Sequence, residues 1–263
     1  MNQPPSKYDQ HPDYDVHFEP CPKRLRVMLN GEVVADTTRA QYLRETKHLP
    51  VYYFPIDDVR RDLLIATNHS SHCPFKGDAS YWTVKVGDRE AENAVWSYNH
   101  PYPEVVEIKD YLAFYWDCMD HWYEEDEEVF VDPRDPKVRL DILDSSRPVQ
   151  VTVSGQVVAD SNKARLLFET GLPTRYYLPQ DDVHLDFLQP SDLHTSCPYK
   201  GTANYWHVKL GNEIFKDMVW CYPDPLAEAA RIKGYLCFFN EQVSAIHVGG
   251  AETERPVTKW SPS

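Results

Sequence analysis

The sequence carries one stretch twice, and this internal duplication limits the fold more than any other feature. Cys73–Gly77 reads CPFKG and Cys197–Gly201 reads CPYKG, and each runs into a Tyr-Trp pair. The separation is 197 − 73 = 124 residues. Aligning 27–114 with 151–238 needs no gap, and about forty of roughly ninety positions are identical. Solenoid units repeat every ~20–50 residues, so this longer period indicates a duplicated domain.

Composition is typical of a globular protein, with 42% hydrophobic and 13% aromatic residues. No apolar run approaches the roughly 18 residues of a membrane span. The segment 1–20 is polar and Pro-rich, unlike the basic start and apolar middle of a signal peptide. These features favour a soluble, cytoplasmic protein.

The chain is strongly acidic, with 41 acidic and 27 basic residues and a formal charge of −14. Such a field repels phosphate backbones and anionic lipids, so neither nucleic acid nor a membrane surface is a predicted partner. A small molecule is the partner we expect. The sequence does not indicate an oligomeric state.

The six cysteines form no C-x-x-C pair, which excludes a zinc knuckle and a thioredoxin-like motif. No metal or cofactor is therefore predicted. Only Cys73 and Cys197 correspond between the copies, so the two halves cannot share a disulfide framework. Free thiols in a reducing compartment are expected.

Short β-prone segments separated by Gly, Pro and Asp predict an all-β protein with little helix and antiparallel pairing. Asn30-Gly31 lies between two apolar runs and predicts a tight hairpin, and Ser154-Gly155 repeats it. The segment 67–72 is interpreted as a polar loop and 108–116 as the last strand of the unit.

Five segments are predicted along the chain. They are a flexible leader (1–17), a first β domain (18–122), an acidic Pro-containing linker (123–138), a second β domain (139–250) and a polar tail (251–263). The acids at 124–128 favour a solvated linker, although a cation site is an alternative.

Four motifs carry a family resemblance. They read YYFPIDDV from Tyr52, CPFKGDASYW from Cys73, VWSY from Val95 and IKDYLAF from Ile108, and the second half holds all four. They resemble the family of domains of unknown function 427. The resemblance implies an Mss4-like or β-tent topology of two small antiparallel sheets meeting at an angle. A nucleotidyltransferase name sometimes attached to the family finds no support, because the chain lacks a glycine-rich phosphate cradle.

Cys73, Lys76, Cys197 and Lys200 are the hypothetical catalytic residues. A thiol becomes nucleophilic beside a cation, and the turn could bring Lys and Cys together. The alternatives are a small buried thiol, and a lysine that pairs with Asp57-Asp58 or with Asp181-Asp182. His72 aligns with Ser196, so both halves cannot share a Cys-His dyad.

Aromatic residues near the turn predict a pocket wall that could stack a flat or cationic ligand. Adjacent residues on a strand point to opposite faces, so one of each Tyr-Trp pair should enter the core. Core packing is the alternative for each ring. The predicted ligand-binding residues are Tyr53, Tyr81, Trp82, Trp96, Tyr177, Tyr199, Tyr205, Trp206 and Trp220.

Two functions remain open. The first is a small-molecule-binding protein, or an enzyme of unassigned reaction, with a pocket at each turn. The second is a non-catalytic structural or protein-interaction module. Since Phe75 aligns with Tyr199, a function that needs this hydroxyl would work only in the second half.

Overall fold

The computed structural model describes residues 3–262, which separate into two compact units between Asp135 and Pro136. Residues 3–135 are called domain 1 and residues 136–262 domain 2. Each domain contains one seven-stranded and one four-stranded antiparallel sheet, which confirms the predicted all-β fold in two similar halves.

The strands of domain 1 are β1 (Val16–Pro20), β2 (Leu25–Leu29), β3 (Glu32–Thr37), β4 (Gln41–Glu45), β5 (Val51–Pro55), β6 (Leu64–Cys73), β7 (Gly77–Val86), β8 (Arg89–Ser97), β9 (Tyr111–Phe114), β10 (His121–Glu124) and β11 (Glu127–Val129). The large sheet has the order β1-β4-β5-β9-β8-β7-β6, and the small sheet has the order β11-β10-β2-β3.

The strands of domain 2 are β12 (Leu140–Ser145), β13 (Val149–Val153), β14 (Gln156–Ser161), β15 (Ala164–Glu169), β16 (Arg175–Leu178), β17 (Leu188–Cys197), β18 (Gly201–Leu210), β19 (Glu213–Cys221), β20 (Leu236–Phe238), β21 (Ala245–Val248) and β22 (Ala251–Glu252). Their orders are β12-β15-β16-β20-β19-β18-β17 and β14-β13-β21-β22. The large sheet therefore repeats the strand order of domain 1.

Helical structure within residues 3–262 consists of short 3-10 segments. They are Tyr8–Gln10, Ile56–Asp58, Arg61–Leu63, Pro103–Ile108, Trp116–Cys118, Gln180–Asp182, Leu185–Phe187 and Ala227–Ile232. None of the helices in this described range has the length and apolar character required to cross a bilayer.

The predicted Asn-Gly hairpin is confirmed. Asn30 and Gly31 have φ values of 49° and 77°, and they join β2 to β3. Ser154 and Gly155 repeat this geometry with φ values of 48° and 80° between β13 and β14. The second copy therefore adopts the left-handed conformation even though serine replaces asparagine.

Alternating side chains on the large sheet of each domain supply two apolar clusters. In domain 1, Phe54 and Phe114 pack in a cluster that also draws residues from the small sheet. Tyr53 and Ala113, one position away, belong to a second cluster on the other face, which Pro103–Ile108 helps to cover. This period of two is the expected behaviour of a sheet buried on both faces.

Three local predictions were wrong. The presumed polar loop 67–72 lies within β6, where a register shift between Ala66 and Ser70 accommodates its extra residues. The last strand predicted at 108–116 is confined to Tyr111–Phe114. Part of the presumed linker forms β10 and β11, because β10 pairs with β2 and extends the small sheet.

Candidate functional site

The repeated turn is a tight connection between two long strands. In domain 1, Cys73 is paired with Gly77, and the Lys76 amide donates to the Cys73 carbonyl at 3.3 Å. Gly77 has φ = 101°, and a Cβ there would lie 3.3 Å from the His100 carbonyl oxygen. Glycine is thus required both for the positive φ and for the close approach of the His100 carbonyl to this position.

The lysine of each turn forms a buried ion pair with a glutamate. Lys76 Nζ lies 2.5 Å from both Glu45 carboxylate oxygens, and Lys200 Nζ lies 2.5 Å from Glu169 Oε2. The Lys and Glu side chains are each 10% exposed in domain 1, against 10% and 6% in domain 2. The two carboxylates occupy the same repeat position, since 169 − 45 = 124.

Sequence reasoning assigned the wrong carboxylates to these lysines. Asp58 instead accepts hydrogen bonds from Thr37 and Arg39 at the edge of the domain. Glu45 was missed because it precedes Lys76 by 31 residues and ends a different strand. Its exact recurrence at the repeat offset was the signal that could have found it.

Aromatic side chains line the same face of the large sheet as the turn. In domain 1, Cys73 and Trp96 pack against the cluster that contains Tyr53, Tyr81 and Tyr98. Burial raises the pKa of Tyr98, and the nearby Tyr53, Cys73 and Glu45 raise it further. Cys73 and three of the predicted rings therefore pack in one cluster, and Lys76 Nζ lies 5.7 Å from the centroid of the Tyr98 ring.

Domain 2 repeats this arrangement. Cys197 and Tyr205 pack against a cluster with Tyr177 and Trp220, and the Trp220 indole donates to the Tyr177 hydroxyl at 3.1 Å. Burial raises the pKa of Tyr222, with Cys197, Tyr205 and Glu169 contributing to the rise. Tyr199 lies partly buried in the turn itself.

Trp82 and Trp206 are not part of this face. Both pack against the cluster that joins the large and small sheets, on the side opposite Tyr81 and Tyr205. The expected split of each Tyr-Trp pair is therefore present. The tyrosine, rather than the tryptophan, shares a face with the turn, so the prediction that all these rings line one pocket was wrong.

The leader of domain 1 covers its turn and is not simply flexible. The Lys7 amide donates to the Pro74 carbonyl at 3.0 Å, and Tyr102 OH donates to the Pro4 carbonyl at 2.6 Å. The Tyr14 ring stacks on Phe75, with centroids 3.6 Å apart and planes at 9°. Residues 1 and 2 of the predicted leader lie outside the described residues.

The hydroxyl of Tyr14 reaches the buried ion pair. It donates to Glu45 Oε2 at 3.1 Å. Burial raises the pKa of the Tyr14 phenol, and the neighbouring Glu45 carboxylate raises it further, so this hydroxyl stays protonated and acts as a donor. The face in domain 1 thus already holds a planar ring with a hydrogen-bond donor.

The tail of domain 2 packs beside one part of the aromatic cluster. The predicted tail packs there, because the Arg175 guanidinium lies 5.4 Å from the Trp260 ring and 5.6 Å from the Trp220 ring. Arg175 also forms a buried, two-pronged pair with Glu241, and Thr258 donates to that carboxylate. Residue 263 of the tail lies outside the described residues.

The described residues contain free thiols and no apparent metal centre. All six cysteines are free thiols, in agreement with the expectation drawn from their lack of correspondence between the copies. Across residues 3–262, no group of three or more His, Cys, Asp or Glu side chains could hold a metal ion.

Comparison with known proteins identifies the sequence family. The model of a family described as a domain of unknown function (DUF427) matches residues 17–125 and again residues 141–249. No curated protein matches the chain. The two matched regions contain the turn, the ion pair and the aromatic face of each domain.

Proposed function

Because the chain belongs to the family of domains of unknown function 427 (DUF427), whose description assigns no activity, we propose a function from its geometry. Each turn forms a binding face for a small planar molecule that carries a hydrogen-bond donor. The aromatic side chain of the turn accepts the ring, and the glutamate of the Lys–Glu pair accepts the donor. Domain 1 fills its own face, and domain 2 offers the working site.

The repeated ion pair supports a functional role for this face. Burying Lys and Glu side chains carries a desolvation cost that their attraction does not reliably repay, and apolar replacements are often as stable. Stability alone therefore gives little reason for both domains to bury the same pair. A carboxylate held in place by a lysine, beside aromatic rings, is instead suited to orient a polar group of a ligand.

Tyr14 indicates which chemistry the face accepts. Its ring stacks on Phe75 while its hydroxyl donates to Glu45, so one phenol uses both elements of the site. Stacking and a charge-assisted hydrogen bond are the usual means of holding a small aromatic donor. A free phenol would make the same two contacts.

Domain 2 has the receptor groups without the resident ring. The position equivalent to Tyr14 is Val138 (14 + 124), which has neither ring nor hydroxyl. Lys76 donates to both carboxylate oxygens of Glu45, whereas Lys200 donates to Glu169 Oε2 and leaves Oε1 unengaged by the turn lysine. This oxygen is the acceptor proposed for the ligand. Lys200 orients the carboxylate and has no assigned covalent step.

The test is a titration of the full chain with p-cresol, followed by saturation-transfer NMR, with toluene as the control that lacks the hydroxyl. We expect saturable p-cresol binding, with toluene weaker by about ten-fold or more, since a hydrogen bond to a charged group contributes about 1.5–3 kcal/mol. Equal binding of both compounds, or no binding, would contradict the proposal.

Matched variants assign the binding to a domain. Glu169→Leu with Lys200→Met removes the pair in domain 2, and Glu45→Leu with Lys76→Met makes the same change in domain 1. Only the domain 2 variant should lose p-cresol binding. Glu169→Gln, which preserves shape, provides a second test if the double variant fails to fold. Unchanged binding in a folded domain 2 variant would overturn the proposal.

A protein-interaction module is the second candidate function. The leader lies over the turn of domain 1 through main-chain contacts, including the Lys7 amide to the Pro74 carbonyl. The face can therefore hold a peptide as well as a ring. A synthetic peptide of residues 3–15, added to the full chain, distinguishes the two functions. Peptide binding without p-cresol binding would favour the interaction module.

A further inference from the structure

A separate hollow lies on the opposite face of the large sheet in domain 1. Its volume is about 470 Å³, within the range of small-molecule sites, roughly 300–1,000 Å³. Leu64, Ala66 and Trp82 contribute to its wall, and the buried Leu112 also lines it. The hollow therefore offers one aromatic and several aliphatic surfaces and contains none of the turn residues.

Backbone irregularities flank the tryptophan of this hollow. Ala66 pairs with Trp82, and the register between β6 and β7 shifts immediately beyond that pair. The register between β7 and β8 also shifts just after Trp82. Bulges of this kind re-aim side chains and are common next to binding sites. Trp82 is half-buried, and its indole N–H has no acceptor among the described residues.

The rim of the hollow carries an unpaired cation. Arg61 lies in the short 3-10 segment Arg61–Leu63, and no carboxylate within residues 3–262 forms an ion pair with it. The neighbouring Asp62, which also lines the hollow, is held by Arg60 through contacts of 2.8 and 2.7 Å. Arg60 thus pairs with the Asp62 carboxylate and leaves the Arg61 guanidinium available.

We infer that this hollow is a second ligand site, specific for a small organic carboxylate with an aromatic body. The guanidinium of Arg61 matches a carboxylate through two parallel hydrogen bonds, and the Trp82 face packs against the ring. The hollow lies on the face opposite the turn site, so this inference does not depend on phenol binding there.

Domain 2 provides an internal control for the cation. The residue aligned with Arg61 is Leu185 (61 + 124), while Asp186 and Trp206 retain the residue types of Asp62 and Trp82. A single substitution, Arg61→Leu, therefore gives domain 1 the residue that domain 2 carries at this position. If the cation determines binding, this one change should weaken it by about as much as removing the charge from the ligand.

The experiment uses the full chain and 1-naphthoate, with the neutral 1-naphthalenemethanol as control, in a saturation-transfer NMR titration. We expect the neutral compound to bind at least about ten-fold more weakly, and Arg61→Leu to weaken naphthoate binding by about the same factor. Trp82→Phe should also weaken binding, whereas the matched Trp206→Phe should not.

Loss of naphthoate binding can be distinguished from unfolding of the variant. Arg61 is exposed, so Arg61→Leu should preserve the melting temperature and the response to p-cresol. If a folded Arg61→Leu variant binds naphthoate as tightly as the parent chain, or if the neutral compound binds equally well, the inference is wrong. Equal loss in Trp82→Phe and Trp206→Phe would also contradict it.

Discussion

Domain 1 and domain 2 hold the same Lys–Glu pair at the same turn, but their chain ends make different contacts. In domain 1 the leader places Tyr14 on Phe75 and on the carboxylate of Glu45. In domain 2 the tail places Trp260 over Arg175, which is paired with the fully buried Glu241. The duplicated part of the fold therefore preserves the receptor groups, and the unduplicated ends differ in what they contact: the leader reaches the carboxylate of the pair in domain 1, and the tail packs beside Arg175 in domain 2.

The strongest test of the shared element is to break the pair in one domain. Lys200→Met leaves Glu169 as an uncompensated buried charge, and we expect domain 2 to lose about 3 kcal/mol of stability. Adding Glu169→Leu should recover most of that loss. Urea denaturation followed by hydrogen exchange and mass spectrometry resolves the two domains. If Lys200→Met is as stable as the parent chain, the unpaired Glu169 carboxylate carries no cost of burial, and the prediction is wrong.

The contact between the tail and domain 2 gives the next largest effect on stability. Trp260→Ala removes a ring that packs beside Arg175 and Phe239. Domain 2 should lose about 2 kcal/mol, while domain 1 should be unaffected. Val257→Ala is the control, because Val257 is 93% exposed and should change nothing. The same denaturation experiment measures both variants, and equal losses in the two domains would contradict the assignment.

In domain 1, the Tyr14 hydroxyl anchors the leader to Glu45. Tyr14→Phe keeps the ring stacked on Phe75 but removes the hydrogen bond to Glu45. Domain 1 should lose about 1 kcal/mol, and protection of the leader amides from hydrogen exchange should fall. Domain 2 serves as the control within the same molecule. If the leader amides stay equally protected, the hydroxyl does not anchor the leader.

The smallest effect concerns acid sensitivity. Burial would raise the pKa of Glu241, but hydrogen bonds from Arg175 and Thr258 more than compensate, so this pKa is lowered from its ordinary value of 4.5. The pair therefore stabilises domain 2 fully above that value, and the contribution is lost as the pH falls through the lowered pKa. Denaturation between pH 6 and pH 3 should show this loss, and Glu241→Gln should remove it.

Local sequence patterns predicted those parts of the fold whose backbone conformation is set by neighbouring residues. The Asn30-Gly31 hairpin follows from residue type and spacing, and it is present. The partner of Lys76 could not be predicted from local pattern, because Glu45 is brought to it by the pairing of distant strands. The packing of Tyr14 was missed because the second copy has no equivalent tyrosine.

The tryptophans show a different limit of sequence reasoning. Alternation along β7 correctly predicted that Tyr81 and Trp82 point to opposite faces. It could not predict which face the turn shares, because that depends on how the small sheet covers the large one. The hollow beside Trp82 lies on the face opposite the turn.

The most direct test of the account is the number of p-cresol molecules bound per chain, measured by equilibrium dialysis. The parent chain should bind one, in domain 2. The Tyr14→Ala variant should bind two, because the Glu45 face then loses its resident phenol. A stoichiometry that stays the same in this variant, or no binding to either chain, would contradict the account.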